Sequence, residues 1–193
     1  MPMGRSVIWM CALFAWADTG AQHAVTVYRS PAEMHAKRGE QVGDLLDVIP
    51  HLGRPVLLVE QEGSRRRIPC RDLWGFSYKG ILFRIEPQGH LPVRLMAHGA
   101  LCYYENGLAH LRMQRDGTEL ETFDLGHRSY ISRHLEGELV PAIFPEGDAR
   151  GAAARFRQAH RQFEPLFQCI GAVDDLDNTR QCVVDFEAAL EGP

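Results

Sequence analysis

The chain has 193 residues, of which 45% are hydrophobic and 24% charged. These values fit one globular domain, or one domain with a small appendage, able to bury a core without metal or many disulfides. The net charge of −4 gives no field that would draw nucleic acid or an anionic membrane, so neither is an expected partner. The only lysines are Lys37 and Lys79; the preference for arginine is consistent with a GC-rich genome or with bidentate anion binding.

Residues 1–17 read as a signal peptide. Arg5 supplies the positive start, Val7–Ala17 is an apolar run too short to span a bilayer, and Ala15-Trp16-Ala17 places small residues at a cleavage site. Cleavage as late as residue 22 fits as well. Cys11 lies inside the apolar run and not at its end, which argues against a lipid anchor. No later stretch is long and apolar enough for a transmembrane helix, so the expectation is an exported chain, periplasmic or at the cell surface. Cys70, Cys102, Cys169 and Cys182 remain after cleavage. In an oxidising compartment they permit Cys169–Cys182 and Cys70–Cys102 disulfides, with buried free thiols as the alternative.

The mature chain divides into a β-rich part, 23–145, and C-terminal helices, 146–190, packed on it. Ala24–Tyr28 reads as a first strand. Ser30-Pro31-Ala32-Glu33 starts a short helix, with serine as the cap and glutamate reaching back to it; Gly39 stops it. Gln41–Pro55 reads as an irregular connection. Short strands separated by glycine turns follow: Val56–Glu60 into Arg65–Cys70, Trp74–Tyr78 through Lys79-Gly80 into Ile81–Glu86, then Leu91–Met96, and Ala100–Glu105 through Asn106-Gly107 into Leu108–Gln114. Asp116-Gly117 returns the chain through Thr118–Leu125, and Glu136-Gly137 turns one more ribbon. With Lys79-Gly80 as the loop, Tyr78 faces Ile81, Phe76 faces Phe83 and Trp74 faces Ile85, all on one apolar face. With Asn106-Gly107 as a loop, Cys102 faces Leu111 and Tyr104 faces Ala109; with Asp116-Gly117, Met113 faces Leu120 and Arg112 pairs with Glu121.

Beyond residue 145, Ala152, Phe156, Ala159, Phe163 and Phe167 follow helical spacing, interrupted at Pro165. Asp174, Asp175 and Asp177 precede a last helix whose face carries Val183, Phe186 and Leu190. The fold class is therefore α+β: an antiparallel β-meander or partly closed barrel with a short N-terminal helix and a C-terminal helical pair.

No residue set carries a recognisable chemistry. Ser77 imitates a nucleophile elbow but sits in a hairpin with one residue too many before Gly80. His98, Cys102 and His110 are scattered, with Cys102 and His110 expected on opposite faces. His127 and His134 are not at a ligand spacing. Asp175, Asp177 and Thr179 open like a calcium loop, but Arg180 and Phe186 stand where glycine and glutamate are required. No metal and no cofactor are expected. Trp74 reads as core, not as a sugar-stacking platform. Arg65-Arg66-Arg67, with Arg71 nearby, is the sharpest charge cluster: a solubilising edge strand, or an anion site in which Arg65, Arg67 and Arg71 take part.

The stretch from Ile68 to Arg84, with its Asp72-Leu73-Trp74-Gly75-Phe76 core, glycine turn and Phe83-Arg84 pair, resembles a pattern in uncharacterised exported proteins of Bacteroidota. Cys102-Tyr103-Tyr104 and Ser129-Tyr130-Ile131-Ser132 are similar to it too. The resemblance implies export and no particular activity. The functional expectation is a non-enzymatic binding module for a small molecule, glycan or partner protein. The alternatives are a hydrolase with a dispersed site and a structural envelope protein.

Overall fold

The computed structural model describes residues 24–51, 54–116, 128–142, 149–173 and 175–191. The expected leader, the Thr118–Leu125 strand, the Met113–Leu120 and Arg112–Glu121 pairs, His127 and Asp174 lie outside the described residues or side chains. The fold is α+β: an open antiparallel sheet of ten strands, with helices that include a C-terminal pair.

The strands are β1 (Ala24–Tyr28), β2 (Glu40–His51), β3 (Arg54–Gln61), β4 (Ser64–Pro69), β5 (Gly75–Tyr78), β6 (Ile81–Ile85), β7 (Pro92–His98), β8 (Cys102–Asn106), β9 (Ser129–Ser132) and β10 (Val140–Pro141). Their order in the sheet is β10-β9-β8-β7-β6-β5-β1-β2-β3-β4. The sheet is thus two meanders, β1–β4 and β5–β10, joined where β1 pairs with β5. Helix α1 (Pro31–His35) follows β1 with the expected cap: Ser30 Oγ accepts the Glu33 N–H at 3.3 Å. The Glu33 carboxylate reaches one residue further back, accepting the Arg29 N–H at 2.7 Å.

The expected Phe76↔Phe83 and Tyr78↔Ile81 register is present. Lys79 and Gly80 turn with φ of 50° and 75°, the positive pair that a two-residue hairpin requires. Phe76 and Phe83 stack with centroids 5.0 Å apart. They sit in a core with Val25, Val27, Val42, Leu57, Val59 and Ile85. At about 25 cal/mol per Å2 of apolar area, a few such aromatics outweigh any surface ion pair. Trp74 departs from expectation: it is half-buried and outside this core, with the Arg84 guanidinium 5.3 Å above its ring.

Two segments differ from the sequence reading. Gln41–Pro55 is not an irregular connection but most of β2 and the start of β3. Register shifts interrupt β2 on both sides, against β1 and between Leu45 and Asp47 against β3. These bulges space Val42, Leu45 and Val48 three apart and hide the two-residue alternation of a strand. Gly43 makes the bend: its φ is +96°, and a Cβ there would stand 2.2 Å from the Glu60 carbonyl oxygen.

The second difference is at Asn106-Gly107, which does not turn a hairpin. Helix α2 (Gly107–Asp116) begins there, so the expected Cys102–Leu111 and Tyr104–Ala109 pairs do not form. Asn106 Oδ1 instead accepts the Leu108 N–H at 3.2 Å, as a helix cap does. Gly107 is needed for closeness, since a Cβ would lie 2.5 Å from the Pro92 carbonyl oxygen. Leucine, alanine, arginine and methionine after it favour a helix.

Helices α3 (Ala149–Ala159), α4 (Glu164–Gly171) and α5 (Leu176–Glu191) complete the chain. Pro165 lies in the first turn of α4, where it is tolerated. Asp175 caps α5, its Oδ1 accepting the Asn178 N–H at 2.7 Å. These helices, with Phe163 from the turn before α4, pack Leu166, Ile170 and Val183 against Tyr103, Ile131 and Val140 of the sheet. Cys169 and Cys182 form a disulfide between α4 and α5. Cys70 and Cys102 are free and buried in different clusters, so the expected Cys70–Cys102 bridge is absent. No described helix is long and apolar enough to cross a membrane.

Candidate functional site

The ladder pairs place one row of side chains across the sheet: Val27, Phe76, Phe83, Arg94, Glu105 and Ser129. Directly paired residues share a face, so the row begins apolar under the β1–β6 core and turns polar at β7. Glu105 is fully buried there. Arg180, from α5, grips it with two hydrogen bonds, Nε to Oε1 at 2.6 Å and Nη2 to Oε2 at 2.7 Å. His110, from α2, adds a third to Oε2 at 2.8 Å. Burial by itself would raise the Glu105 pKa; the hydrogen bonds of Arg180 and His110 and the charge of Arg180 outweigh it and bring the pKa down to about 2.

His110 Nδ1 lies 3.1 Å from Nη1 of Arg94. A guanidinium has no acceptor, so Arg94 donates to Nδ1 and the ring hydrogen sits on Nε2, facing Glu105. Both ring nitrogens are thereby engaged, in a residue only 5% exposed. A histidine general base needs one nitrogen open toward substrate. This Glu–His pair lacks one, and its arrangement is that of a junction between β7, β8, α2 and α5. The hydroxyls of Tyr103 and Ser129 and the Nε of Arg94 are also buried on this face, with no hydrogen-bond partner among the described residues. Burial and then the Glu105 charge raise the Tyr103 phenol far above its ordinary range.

A second place is open to solvent. Between the β9–β10 turn and α3 lies a cleft of about 300 Å3, lined by Arg133, His134, Glu138, Arg155, Phe156 and His160 among others. Its floor is aromatic: Phe156 is 4.5 Å from the His160 ring and 6.3 Å from the Phe163 ring. The Arg133 guanidinium lies 5.6 Å over Phe163 and donates to the Ala100 carbonyl, which fixes it at the rim. Glu136 holds the His134 ring through Nδ1 at 3.1 Å and also bonds His35 of α1. The Glu136 carboxyl is lowered by its backbone hydrogen bond and then by His35. Among the described lining residues, the Arg133 and Arg155 guanidinium groups and the His134 imidazole thus border a floor of Phe156 and His160, with the Glu138 carboxylate beside them and Glu136 bonded to His134.

Apart from His134, the candidate site residues read from the sequence fall elsewhere. Arg65 and Arg67 are exposed on β4, the outermost strand of the sheet; Arg71 lies beyond it, beside Asp72 at 3.5 Å. Ser77 sits in β5, bonded to the Tyr28 hydroxyl at 3.3 Å, with no strand-to-helix elbow around it. His98, Cys102 and His110 are on different elements, and no metal-holding group of His, Cys, Asp or Glu occurs among the described residues. Of the described residues lining the cleft, the sequence marks His134 as a scattered histidine, Gly137 as a turn, and Phe156 and Ala159 as one helix face, but not Arg133, Glu138, Arg155 or His160. What joins Arg133 to Arg155 is the packing of α3 on β10, which no local spacing announces. Compared with known proteins, the chain matches no family model, and no curated protein or solved structure matches it with significance.

Proposed function

We propose that this chain is an exported, non-enzymatic binding module whose cleft between the β9–β10 turn and α3 takes a small organic anion. The observation that carries the reading is the pairing of the Arg133 and Arg155 guanidinium groups with an aromatic floor at Phe156. Arginine suits carboxylate or phosphate oxygens bidentately, and an aromatic floor accepts the flat or apolar body of the same ligand. A binding role fits better than hydrolysis because the buried Glu105–His110 pair has no free ring nitrogen. Export is supported by the leader-like residues 1–17, the Cys169–Cys182 bridge and the resemblance to exported Bacteroidota proteins.

The test is calorimetric titration with phenyl phosphate and benzoate, with neutral benzamide as control. The anions bind and benzamide does not, and Arg155→Ala removes the difference. Equal binding of all three, or of none, overturns the cleft assignment. N-terminal sequencing of the native protein tests export separately: an intact Met1 or Pro2 refutes the leader.

A further inference from the structure

We propose that the outer edge of β4 accepts an extended acidic segment of a partner protein as an added strand. The β3–β4 hairpin turns at Glu62 and Gly63 with φ of 51° and 75°. A turn of this kind leaves its flanking residues, Gln61 and Ser64, as a hydrogen-bonded pair. The ladder is unbroken from there, so Ser64, Arg66 and Ile68 direct their backbone groups inward to β3. Arg65 and Arg67 direct theirs outward, and Pro69 has no N–H and ends the edge. Among the described residues β4 pairs with β3 alone.

The two residues with outward backbone groups therefore also carry the exposed guanidinium groups of one face. Arg66, on the other face, is held by Glu40 at 3.2 Å. Antiparallel pairing of β4 with its own copy brings arginine opposite arginine, which opposes self-association. A strand with carboxylates at alternate positions meets Arg65 and Arg67 instead, with main-chain bonds supplying the rest of the affinity. The charge that protects this edge from its own kind thus selects an acidic guest. Because Pro69 closes it, the edge is short and the binding correspondingly weak.

The probe is the peptide Ac-Thr-Glu-Val-Glu-Thr-NH2, added to the full-length 15N-labelled protein at low salt. The expected result is saturable shifts of the Arg65 and Arg67 amide signals with little change at Arg66. A lysine version of the peptide, and a version N-methylated on its backbone, bind at least ten-fold more weakly. Arg65→Glu with Arg67→Glu lowers affinity for the acidic peptide at least ten-fold and reverses the preference between the acidic and lysine peptides, while phenyl phosphate binding at the cleft is unchanged. Absence of binding, equal binding of the N-methylated peptide, or equal shifts at Arg65, Arg66 and Arg67 overturns the proposal. Should the double variant fail to fold, the N-methylated peptide on the unaltered protein decides alone.

Discussion

Replacing Arg180 with methionine keeps much of the side chain's apolar stem and removes its charge. Glu105 then remains fully buried with His110 as its principal partner. The Glu105 carboxyl in the fold falls from an ordinary 4.5 to about 2, the net of burial, which raises it, and of Arg180 and His110, which together lower it. At 1.36 kcal/mol per pH unit that drop is worth about 3 kcal/mol. The rise in the Arg180 pKa reports the same pair and is not added to it. Because the Glu105 pKa is depressed, the stabilisation is complete above about pH 4.5 and is lost as pH falls toward 2. Urea unfolding followed by near-ultraviolet circular dichroism at pH 7 is expected to show Arg180→Met less stable by about 3 kcal/mol, within the 3–5 typical of a stranded buried charge. The gap narrows at pH 3. Adding Glu105→Gln restores at least about 1 kcal/mol, since most of the single variant's loss is desolvated charge. A single variant within about 0.5 kcal/mol of the parent at pH 7, or a gap that stays constant down to pH 3, refutes the account.

Two further outcomes follow from the core. Gly43→Ala combines a positive φ with a Cβ pressed against the Glu60 carbonyl, and a thermal melt is expected to show a loss above about 3 kcal/mol or no folded protein. Gly80→Ala, at φ +75° with open space around it, costs only about 1 kcal/mol. Burial pushes the Cys70 thiol up to about 12 and raises Cys102 as well. A disulfide reagent at pH 8 is therefore expected to leave Cys70 and Cys102 unlabelled in the native, unreduced protein, and to label both once urea unfolds it; rapid native labelling at either contradicts the packing.

The parts of the fold that were legible in the sequence are those set by neighbouring residues. Lys79-Gly80 flanked by Tyr78, Phe76, Ile81 and Phe83 fixes its own register, because a one-residue slip turns four bulky side chains to the wrong face. Ser30 to Glu33 caps its own helix. Asn106-Gly107 misled because one dipeptide serves both a positive-φ turn and a helix start, and the residues that decide lie after it. The β2 bulges hid a long strand for the opposite reason: an inserted residue erases the period being sought. Glu105, His110, Arg94 and Arg180 were not legible as a set, since the last is 75 residues from the first and only the placement of α5 on the sheet unites them. Two arginines, 133 and 155, meet at the cleft through the same kind of long-range packing.

A run of contacts through α5 joins the buried network to the open cleft, and its effect on binding is testable. Helix α5 is anchored along its length: Cys182 is bridged to Cys169 of α4, and Glu187 accepts the Ala100 and Leu101 N–H groups at 3.0 and 3.3 Å. The bidentate guanidinium of Arg180 on the buried Glu105 adds the anchor nearest the start of the helix, against β8. Phe186, further along the same helix, meets Phe163 edge-on at 5.7 Å, and Phe163 in turn supports Phe156 at the cleft floor and lies under Arg133. Without the Glu105 anchor the bridge and Glu187 hold α5 alone, and the aromatic stack is fixed less tightly, so folded Arg180→Met is expected to bind phenyl phosphate several-fold more weakly although Arg180 does not line the cleft. Binding is measured at pH 7 and at a temperature where circular dichroism shows the variant fully folded. Unchanged affinity there means that the Arg180–Glu105 pair holds the helix without shaping the cleft; a loss reversed by adding Glu105→Gln means that stranded charge, and not the missing guanidinium, displaces α5.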